Sequence, residues 1–372
     1  MHAPSGPILT ARGHPNVRAS HSKTLELVPE ADLSPRGTCV LGVALEGDMD
    51  AVAGLRGAVE LTLTCQGMTQ HLRATLNPAW LPGEPLILRR RTLPLTRRTF
   101  GFAADKGAAD LDRNFIAGLS DSTARLEMEI SPTGAHAPAG ALFLAGPAGR
   151  EDARLAAARR LADLRLTRGL EGLLREIAAG GRVLLESDDL GLQAEAVRLT
   201  AEAGGQATLV GGWSAAEGAR ALSGLAAETW SRLRRWPNGK PARRDLLARL
   251  ADSGAGLLLP LPAGQGEGLL SLVAKTVGDR EAVLIVAPND PQEESRRGSL
   301  IALAEAPLPQ GEVWLVVAEC EPGEAGQLDS KLAALARRLQ AAGVATKTLA
   351  AALAETTHLS KRDAFNALIK DE

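Results

Sequence analysis

The sequence predicts two domains of the α+β and α/β classes, a β-rich, barrel-like N-terminal domain followed by an α/β domain with a helical C-terminus. Three observations support this prediction. The chain of 372 residues is longer than one ordinary hydrophobic core organises. Short apolar or alternating segments fill residues 1–131, whereas continuous apolar runs alternate with helical patterns over residues 141–372. Residues 132–140 between them are rich in Pro, Ala and Gly, as linkers are.

Short strands dominate the predicted N-terminal domain. Residues 59–64 alternate between apolar and polar side chains, and Gly67 separates them from a hairpin partner. The predicted strands are residues 24–28, 39–45, 59–64, 70–76, 86–88 and 124–130. Two short helices are expected at residues 50–55 and at about 106–119. This pattern predicts a twisted or barrel-like sheet.

Apolar runs separated by helices characterise the predicted C-terminal domain. The predicted strands are residues 141–145, 182–186, 207–210, 256–259, 282–286 and 313–317. Helical patterns fall between most of them, which is typical of an α/β domain. The end of the chain is predicted to be helical, at residues 328–340, 346–355 and 360–370.

The composition excludes several classes of protein. Apolar residues at 45% and charged residues at 23% are typical of a soluble globular chain. The sequence has neither an apolar run of about eighteen residues nor a signal-peptide pattern, so we expect a cytoplasmic protein without a membrane segment. Its three cysteines are far apart, which argues against a disulfide framework and a Cys-rich zinc site, and we expect no metal.

The charge balance restricts nucleic-acid binding to local surfaces. The net charge is −2, so the chain as a whole does not attract a polyanion. Aromatic residues make up only 3% and tyrosine is absent, which argues against a base-stacking platform. A surface for nucleic acid must therefore come from a cluster of arginines and lysines.

Two stretches, residues 13–21 and 100–115, concentrate polar side chains in the N-terminal domain. The candidate catalytic residues are His14, Asn16, His21, Asp105, Lys106, Asp112 and Arg113. As a hypothesis, they form a polar pocket in which His14 or His21 acts as acid or base and Lys106 binds an anion. The alternative is structural, with histidines that only hydrogen-bond within the fold and Asp105 as the cap of the helix it begins.

The same stretches carry a resemblance to a known family. The motifs are Gly13-His14-Pro15-Asn16-Val17, Ala104-Asp105-Lys106 and Asp110-Leu111-Asp112-Arg113, and they stand in that order. With them, residues 8–131 resemble an uncharacterised domain family found widely in archaea, domain of unknown function 371. The resemblance implies no known reaction.

A series of motifs in the C-terminal half carries a second resemblance. The motifs are residues 142–149, 181–188, 210–215 and 359–366. They resemble the tetrapyrrole-methylase superfamily, especially its branch that 2′-O-methylates a cytidine in small-subunit ribosomal RNA. The resemblance implies a tetrapyrrole-methylase-like α/β fold, a homodimer and S-adenosylmethionine as cofactor. It places the cofactor at Gly146, Pro147, Ser187, Asp188, Gly211 and Ser214.

The cofactor loops depart from the pattern of that superfamily. Where the superfamily has Ser-Asp-Ala-Gly-x-Pro, this chain has Ser187-Asp188-Asp189-Leu190-Gly191. The turn after Val210 also lacks both prolines of the superfamily. These changes predict that methyl transfer is weakened or lost and that the C-terminal half serves binding or dimerisation.

A basic segment spans residues 230–249, where arginines and lysines stand against the single acid Asp245. The candidate RNA-binding residues are Arg232, Arg234, Arg235, Arg243 and Arg244. They are expected to contact RNA phosphates, and a basic segment occupies this place in the related methyltransferases. The alternative is an amphipathic helix with a charged, solvated outer face.

These observations predict a cytoplasmic, methyltransferase-like protein that associates with RNA or the ribosome and has little or no methyl transfer from S-adenosylmethionine. A second hypothesis makes the N-terminal domain an enzyme or small-anion-binding module that uses the candidate residues of the two N-terminal stretches, with the C-terminal half as a scaffold. A third hypothesis is an active RNA methyltransferase that depends on S-adenosylmethionine.

Overall fold

The structure, a computed structural model, describes residues 6–92, 96–134, 139–146, 152–288, 290, 293–320, 330–356 and 361–369. The chain divides into two compact units. The first consists of Met1–Gly224 with Asn289–Glu294, and the second of Leu225–Pro288 with Ser295–Glu372. Part of the predicted linker, residues 135–138, lies outside the described residues. The domain boundaries drawn from the sequence stay a prediction.

Within the described N-terminal residues, eight strands close into a barrel. They are β1 (Ile8–Arg12), β2 (Thr24–Leu27), β3 (Val40–Gly47), β4 (Ala58–Cys65), β5 (Met68–Leu76), β6 (Leu86–Arg89), β7 (Thr99–Phe102) and β8 (Arg125–Pro132). Their order around the barrel is β1-β3-β2-β6-β7-β5-β4-β8, and antiparallel pairing of β1 with β8 completes the circle. The predicted barrel-like sheet is confirmed.

Alternation of side chains explains why these segments form a barrel. Along β4 every second residue, from Val59 to Cys65, is buried in the barrel interior. The turn from β4 to β5 contains only Gln66 and Gly67, with Cys65 paired to Met68. Both turn residues have positive φ, 49° and 77°, as a two-residue type I′ hairpin turn requires.

Short helices accompany the barrel. They are α1 (Met49–Gly54), a 3-10 turn (Ala108–Asp110) and α2 (Arg113–Leu119). The single helix predicted at about 106–119 is therefore interrupted, because Leu111 between its two parts has extended backbone (φ −78°, ψ 150°). α2 buries Phe115, Ile116 and Leu119 in the same hydrophobic core as the strands.

A parallel sheet follows in the first unit. Its strands are β9 (Ala141–Ala145), β10 (Leu164–Leu166), β11 (Arg182–Leu185) and β12 (Gln206–Val210), in the order β10-β11-β9-β12. The helices between and after them are α3 (Ala153–Leu161), α4 (Leu173–Ala178), α5 (Leu190–Glu202) and α6 (Ala215–Ser223). All five residues of β9 are buried, as expected for a strand covered by helices on both faces. This confirms the predicted α/β pattern.

Arg182 joins the barrel to the parallel sheet within the first unit. The residue opens β11 and is only 2% exposed. Its Nε donates to the carbonyl oxygen of Pro78 at 2.8 Å, and its guanidinium also bonds the carbonyl oxygen of Ala53. Burial, together with the nearby charge of Arg56, lowers the pKa of Arg182 to about 9, so the group stays charged at neutral pH.

The second unit is built on a mixed sheet. Its strands are β13 (Trp230–Arg232), β14 (Gly256–Leu261), β15 (Glu281–Val286), β16 (Glu294–Ser299) and β17 (Val313–Val317), in the order β13-β14-β17-β15-β16. β17 runs antiparallel to both of its neighbours. The helices are α7 (Lys240–Asp252), α8 (Gly266–Val277), α9 (Leu300–Glu305), α10 (Ser330–Ala341), α11 (Thr346–Thr356) and α12 (Lys361–Ile369). The predicted helical C-terminus is confirmed. Across the described residues, every helix is too short or too polar to cross a membrane.

Candidate functional site

The two polar N-terminal stretches pack against each other along α2. At the end of this helix, the backbone N–H of His14 donates to the carbonyl oxygen of Leu119 at 2.9 Å. At its start, Arg113 donates to the carbonyl oxygen of Ala19 at 3.2 Å. A Cβ on Gly13 would lie 2.2 Å from the carbonyl oxygen of Asp121, so only glycine permits this approach. His14 and His21 therefore flank opposite ends of a helix about 10 Å long.

Both ring nitrogens of His14 are engaged. Nε2 lies 3.1 Å from Oδ1 of Asp32, and Nδ1 accepts the backbone N–H of Asn16 at 3.1 Å. The Asn16 side chain in turn donates to the carbonyl oxygen of Leu33 at 2.8 Å. These bonds tie the Gly-His-Pro-Asn motif to the loop before β3. Proton transfer by His14 to a ligand would require one of them to break.

His21 differs from His14, because only one of its ring nitrogens has a partner among the described residues. Its Nδ1 accepts the backbone N–H of Thr24 at 3.1 Å and lies 2.7 Å from Oγ1 of Thr24. A nitrogen that accepts from a backbone amide carries no proton, so the neutral ring holds its proton on Nε2. No described residue is a partner for Nε2. His21 therefore presents a hydrogen-bond donor at the half-buried barrel surface.

A row of polar side chains in contact with one another extends from Thr24 along β2, beside the start of β3. Cys39 hydrogen-bonds Thr24 and donates its thiol to Oε2 of Glu26 at 3.1 Å. Burial, reinforced by that bond to Glu26, raises the pKa of Cys39 to about 11, so the sulfur stays a thiol. A guanidinium nitrogen of Arg98 lies 3.7 Å from Oε1 of Glu26. Thr24 and Glu26 lie in the predicted strand of residues 24–28, and their distance in sequence from Cys39 and Arg98 gave no signal that the four side chains meet.

The remaining candidates of the N-terminal stretches bond to neighbouring backbone. Asp105 accepts the backbone N–H of Arg73 at 2.9 Å, and Lys106 donates to the carbonyl oxygen of His71 at 2.7 Å. The helix-cap role expected for Asp105 is wrong. Asp112 caps α2 instead, accepting the first free N–H groups of that helix at 2.8 and 3.2 Å.

The predicted cofactor residues follow strands whose carboxyl ends meet at one edge of the parallel sheet. Gly146 follows β9, Ser187 and Asp188 follow β11, and Gly211 follows β12. Ser214 caps α6 by accepting the N–H of Glu217. Pro147 lies outside the described residues. Ligands of open α/β sheets bind at this edge, so the structure groups these residues where a cofactor would be expected.

Trp213 occupies that edge. The indole is 6% exposed and donates from Nε1 to the carbonyl oxygen of Leu144 at 3.0 Å. Beside it, the N–H of Gly146 donates to the carbonyl oxygen of Val210 at 3.0 Å and joins the ends of β9 and β12. Ser187 is used locally as well, since its hydroxyl accepts the N–H of Asp189. Among the described residues of this edge, Trp213, Gly146 and Ser187 are thus engaged in bonds within the fold, and residues 147–151 of the loop after β9 lie outside the described residues.

The basic segment, residues 230–249, has two kinds of arginine. Arg232 lies 6.0 Å from the ring centre of Trp314, and Arg243 donates to the carbonyl oxygen of Pro237 at 3.0 Å. The others point to solvent. Arg234, Arg235 and Arg244 are exposed, and none has a hydrogen bond or ion pair to a described residue. We call this surface the arginine face. The amphipathic-helix prediction also holds, because α7 buries Leu247 and Ala251, one turn apart, and leaves most of its other side chains exposed.

An open groove of about 660 Å³ lies on the arginine face, between residues 233–238 and α7. Its polar lining consists of Arg235, Asn238, Asp245 and Arg249, and Trp236 forms part of its apolar wall. Asn238, Asp245 and Arg249 were not among the predicted site residues. The sequence did contain one indication of this groove: Asp245 and Arg249 are four residues apart, so they lie on the same face of a helix.

The described residues give no support for a metal centre. No group of three or more His, Cys, Asp or Glu side chains is placed there to hold an ion.

The solved structures to which about half of this chain is similar include the following three proteins. The methyltransferase CobJ is 15% identical, with a TM-score of 0.25 over 49% of this chain and 95% of that one. A conserved hypothetical protein of Aeropyrum pernix is 17% identical, with a TM-score of 0.24 over 50% and 87%. The cobalt precorrin-4 methyltransferase CbiF is 14% identical, with a TM-score of 0.23 over 48% and 94%.

Sequence comparison concerns the barrel. An uncharacterised protein of Methanocaldococcus jannaschii is 26% identical over 122 residues, which are 31% of this chain and 90% of that protein. Residues 9–133 also match a family described as a domain of unknown function. The matching family is DUF371, and the matched residues include the barrel and its short helices.

Proposed function

We propose that this protein binds RNA through the arginine face and that its methylase-like α/β part serves binding rather than methyl transfer. One observation carries the proposal. Arg234, Arg235 and Arg244 are exposed beside a groove, and no described carboxylate pairs with any of them. Guanidinium groups that lack a protein partner are suited to bidentate contact with phosphate.

The charge of the rest of the chain restricts where RNA can bind. The chain as a whole carries a net charge of −2, so attraction to a polyanion is confined to basic clusters. Within residues 230–249 the only acid is Asp245. RNA is therefore expected to approach along residues 233–249.

The crevice at the edge of the parallel sheet supports binding without methyl transfer. S-adenosylmethionine, when bound by a methyltransferase, supplies an electrophilic methyl group, and it needs an open crevice at the strand ends. Here the Trp213 indole bonds to the carbonyl oxygen of Leu144 and the N–H of Gly146 bonds to that of Val210, so both residues are engaged within the fold. The resemblance of these loops to those of the methylases is thus one of sequence position.

A second candidate function rests on His21. Its Nε2 donor faces outward from the barrel, which suits binding of a small anion rather than action as a base. Asp105 and Lys106 give this alternative less support, because both bond to backbone groups of β5.

The RNA proposal predicts that Arg234→Gln, Arg235→Gln and Arg244→Gln together weaken RNA binding. Three phosphate contacts are lost, so the slope of log K against log salt should flatten by about 2 for single-stranded RNA. Fluorescence anisotropy at about 50 to 200 mM salt measures both quantities. Arg243 is left unchanged because it holds Pro237 in place.

The matched control removes the same charge elsewhere. Arg12, Arg168 and Arg175 are exposed and lie in the first unit. Their replacement by glutamine should leave the affinity and its salt slope unchanged. Equal effects of the two triple variants would show that RNA binding, if present, is not located on the arginine face.

The cofactor interpretation is tested by calorimetric titration of S-adenosylmethionine and S-adenosylhomocysteine into the full chain. We expect no detectable heat from the wild type, because Trp213 and Gly146 at the strand ends are engaged in bonds within the fold. Micromolar binding would contradict this expectation and favour an active RNA methyltransferase.

A further inference from the structure

The groove on the arginine face is held open by fixed contacts. Arg243 on α7 donates to the carbonyl oxygen of Pro237 at 3.0 Å and to Oε1 of Gln265 at 3.2 Å. Trp236 is 7% exposed and donates from Nε1 to the carbonyl oxygen of Pro260 at 2.6 Å. These bonds fix one wall of the groove, and the buried Leu247 anchors α7 as the other. The groove is therefore present before any ligand binds.

The polar groups of this groove are unused by the fold. The side chains of Arg235, Asn238, Asp245 and Arg249 are exposed, and none of these side chains has a hydrogen bond or ion pair to a described residue. Asp245 repels phosphate, although it lies in a segment otherwise suited to phosphate. Its carboxylate instead suits a ligand group with hydrogen-bond donors. The volume of about 660 Å³ lies within the range of about 300–1,000 Å³ typical of small-molecule sites.

We propose that this groove receives an unpaired guanine base of the bound RNA. The proposal rests on the RNA-binding function proposed above. The Watson–Crick edge of guanine presents two adjacent N–H donors, which match the two oxygens of Asp245, whereas the donors of the other bases lie next to acceptors. The side-chain amide of Asn238 is a donor for the O6 atom. Arg235 and Arg249 then face the phosphates on either side of the base.

The apolar wall supports the same occupant. Leu233, Trp236 and Leu246 line the groove and offer a surface for the face of a purine ring. A base that is paired in a duplex hides its Watson–Crick edge, so the expected ligand is a loop or single strand. Recognition is thus divided, with arginines holding the backbone and Asp245 selecting the base.

The test uses the full chain and four single-stranded RNA oligonucleotides that differ only in one central base. We expect the guanine oligonucleotide to bind about tenfold more tightly than the other three, as one bidentate base contact provides. Asp245→Asn should abolish this preference, because the amide offers only one acceptor atom. Arg244→Gln is the matched control. Arg244 does not line the groove, so this variant should weaken all four oligonucleotides alike.

The results distinguish failure of the guanine site from failure of RNA binding itself. If all four oligonucleotides bind the wild type equally, the guanine site is refuted while RNA binding stands. If none binds, the RNA-binding function fails, and titration of guanosine monophosphate then decides the groove alone. If the wild type binds the mononucleotide and Asp245→Asn does not, the guanine site is supported. If the wild type does not bind it, the site is refuted. Circular dichroism of Asp245→Asn establishes that this exposed substitution leaves the fold intact.

Discussion

Ala19, between the two motif histidines, adopts a backbone conformation that is unfavourable for its type. Its φ of 44° lies in the left-handed region, which costs a residue with a Cβ about 1–2 kcal/mol. Arg113 offsets part of this cost by donating to the carbonyl oxygens of Arg18 and Ala19. The bonds of His21 to Thr24 fix the chain on the other side. The motif residues thus hold a strained segment in place.

Replacement of His21 separates a structural role from ligand binding. His21→Ala should lower the free energy of unfolding by about 1 kcal/mol, because the N–H of Thr24 loses its acceptor. His21→Asn should restore most of this loss, since the amide oxygen stands where Nδ1 does. Urea denaturation measures both variants. Equal destabilisation by the two would mean that the Nδ1 bonds do not stabilise the segment.

The break between the 3-10 turn and α2 makes Asp112 the start of a separate helix. Asp112→Ala should destabilise the protein by about 1 kcal/mol, because two N–H groups of the first helical turn lose their acceptor. Asp112→Asn keeps an oxygen at that position and should cost much less. Thermal or urea unfolding compares the two. An asparagine variant as unstable as the alanine variant would argue against a capping role.

Some strands were predictable from sequence and others were not, for physical reasons. β4 and β5 follow directly from strict alternation and a two-residue turn with glycine. β10 and β13 have only three residues each, too few to show a period. β16 has the sequence Glu-Ser-Arg-Arg-Gly-Ser and lies at the edge of its sheet, where charged side chains face solvent and no apolar pattern forms.

The candidate sites, like the strands, were only partly predictable from the sequence. The arginine face could be predicted because its arginines lie within one short basic segment, residues 230–249. The groove was not, because it exists only once residues 233–238 fold onto α7. Likewise, the bond of His14 to Asp32 and that of Arg113 to Ala19 join residues 18 and 94 positions apart. Spacing along the chain carries no signal for such pairs.

The barrel and the parallel sheet belong to one compact unit, and Arg182 is a central contact between them. Arg182→Met should lower the free energy of unfolding by about 3 kcal/mol, since a hydrogen bond from a charged donor contributes about 1.5–3 kcal/mol. The carbonyl oxygens of Pro78 and Ala53 would also stay buried without a donor. Urea unfolding monitored by circular dichroism measures the loss.

The exposed Arg168 provides a control of the same chemistry. Arg168→Met should change the free energy of unfolding by less than about 0.5 kcal/mol. If Arg182→Met were equally mild, the barrel would be held to the sheet mainly by apolar contacts such as those of Ala79 and Leu81 with Phe143.

Closure of the barrel restricts how the protein can associate by strand addition. Every strand of the barrel has a neighbour on both sides, so none offers a free row of N–H and C=O groups. At the end of the parallel sheet, the carboxylate of Glu293 accepts the outward N–H of Leu209 on β12 at 3.1 Å and obstructs that edge as well. An extended peptide or second copy that adds a strand would have to use another end strand of the α/β sheets, such as β10, β13 or the charged β16.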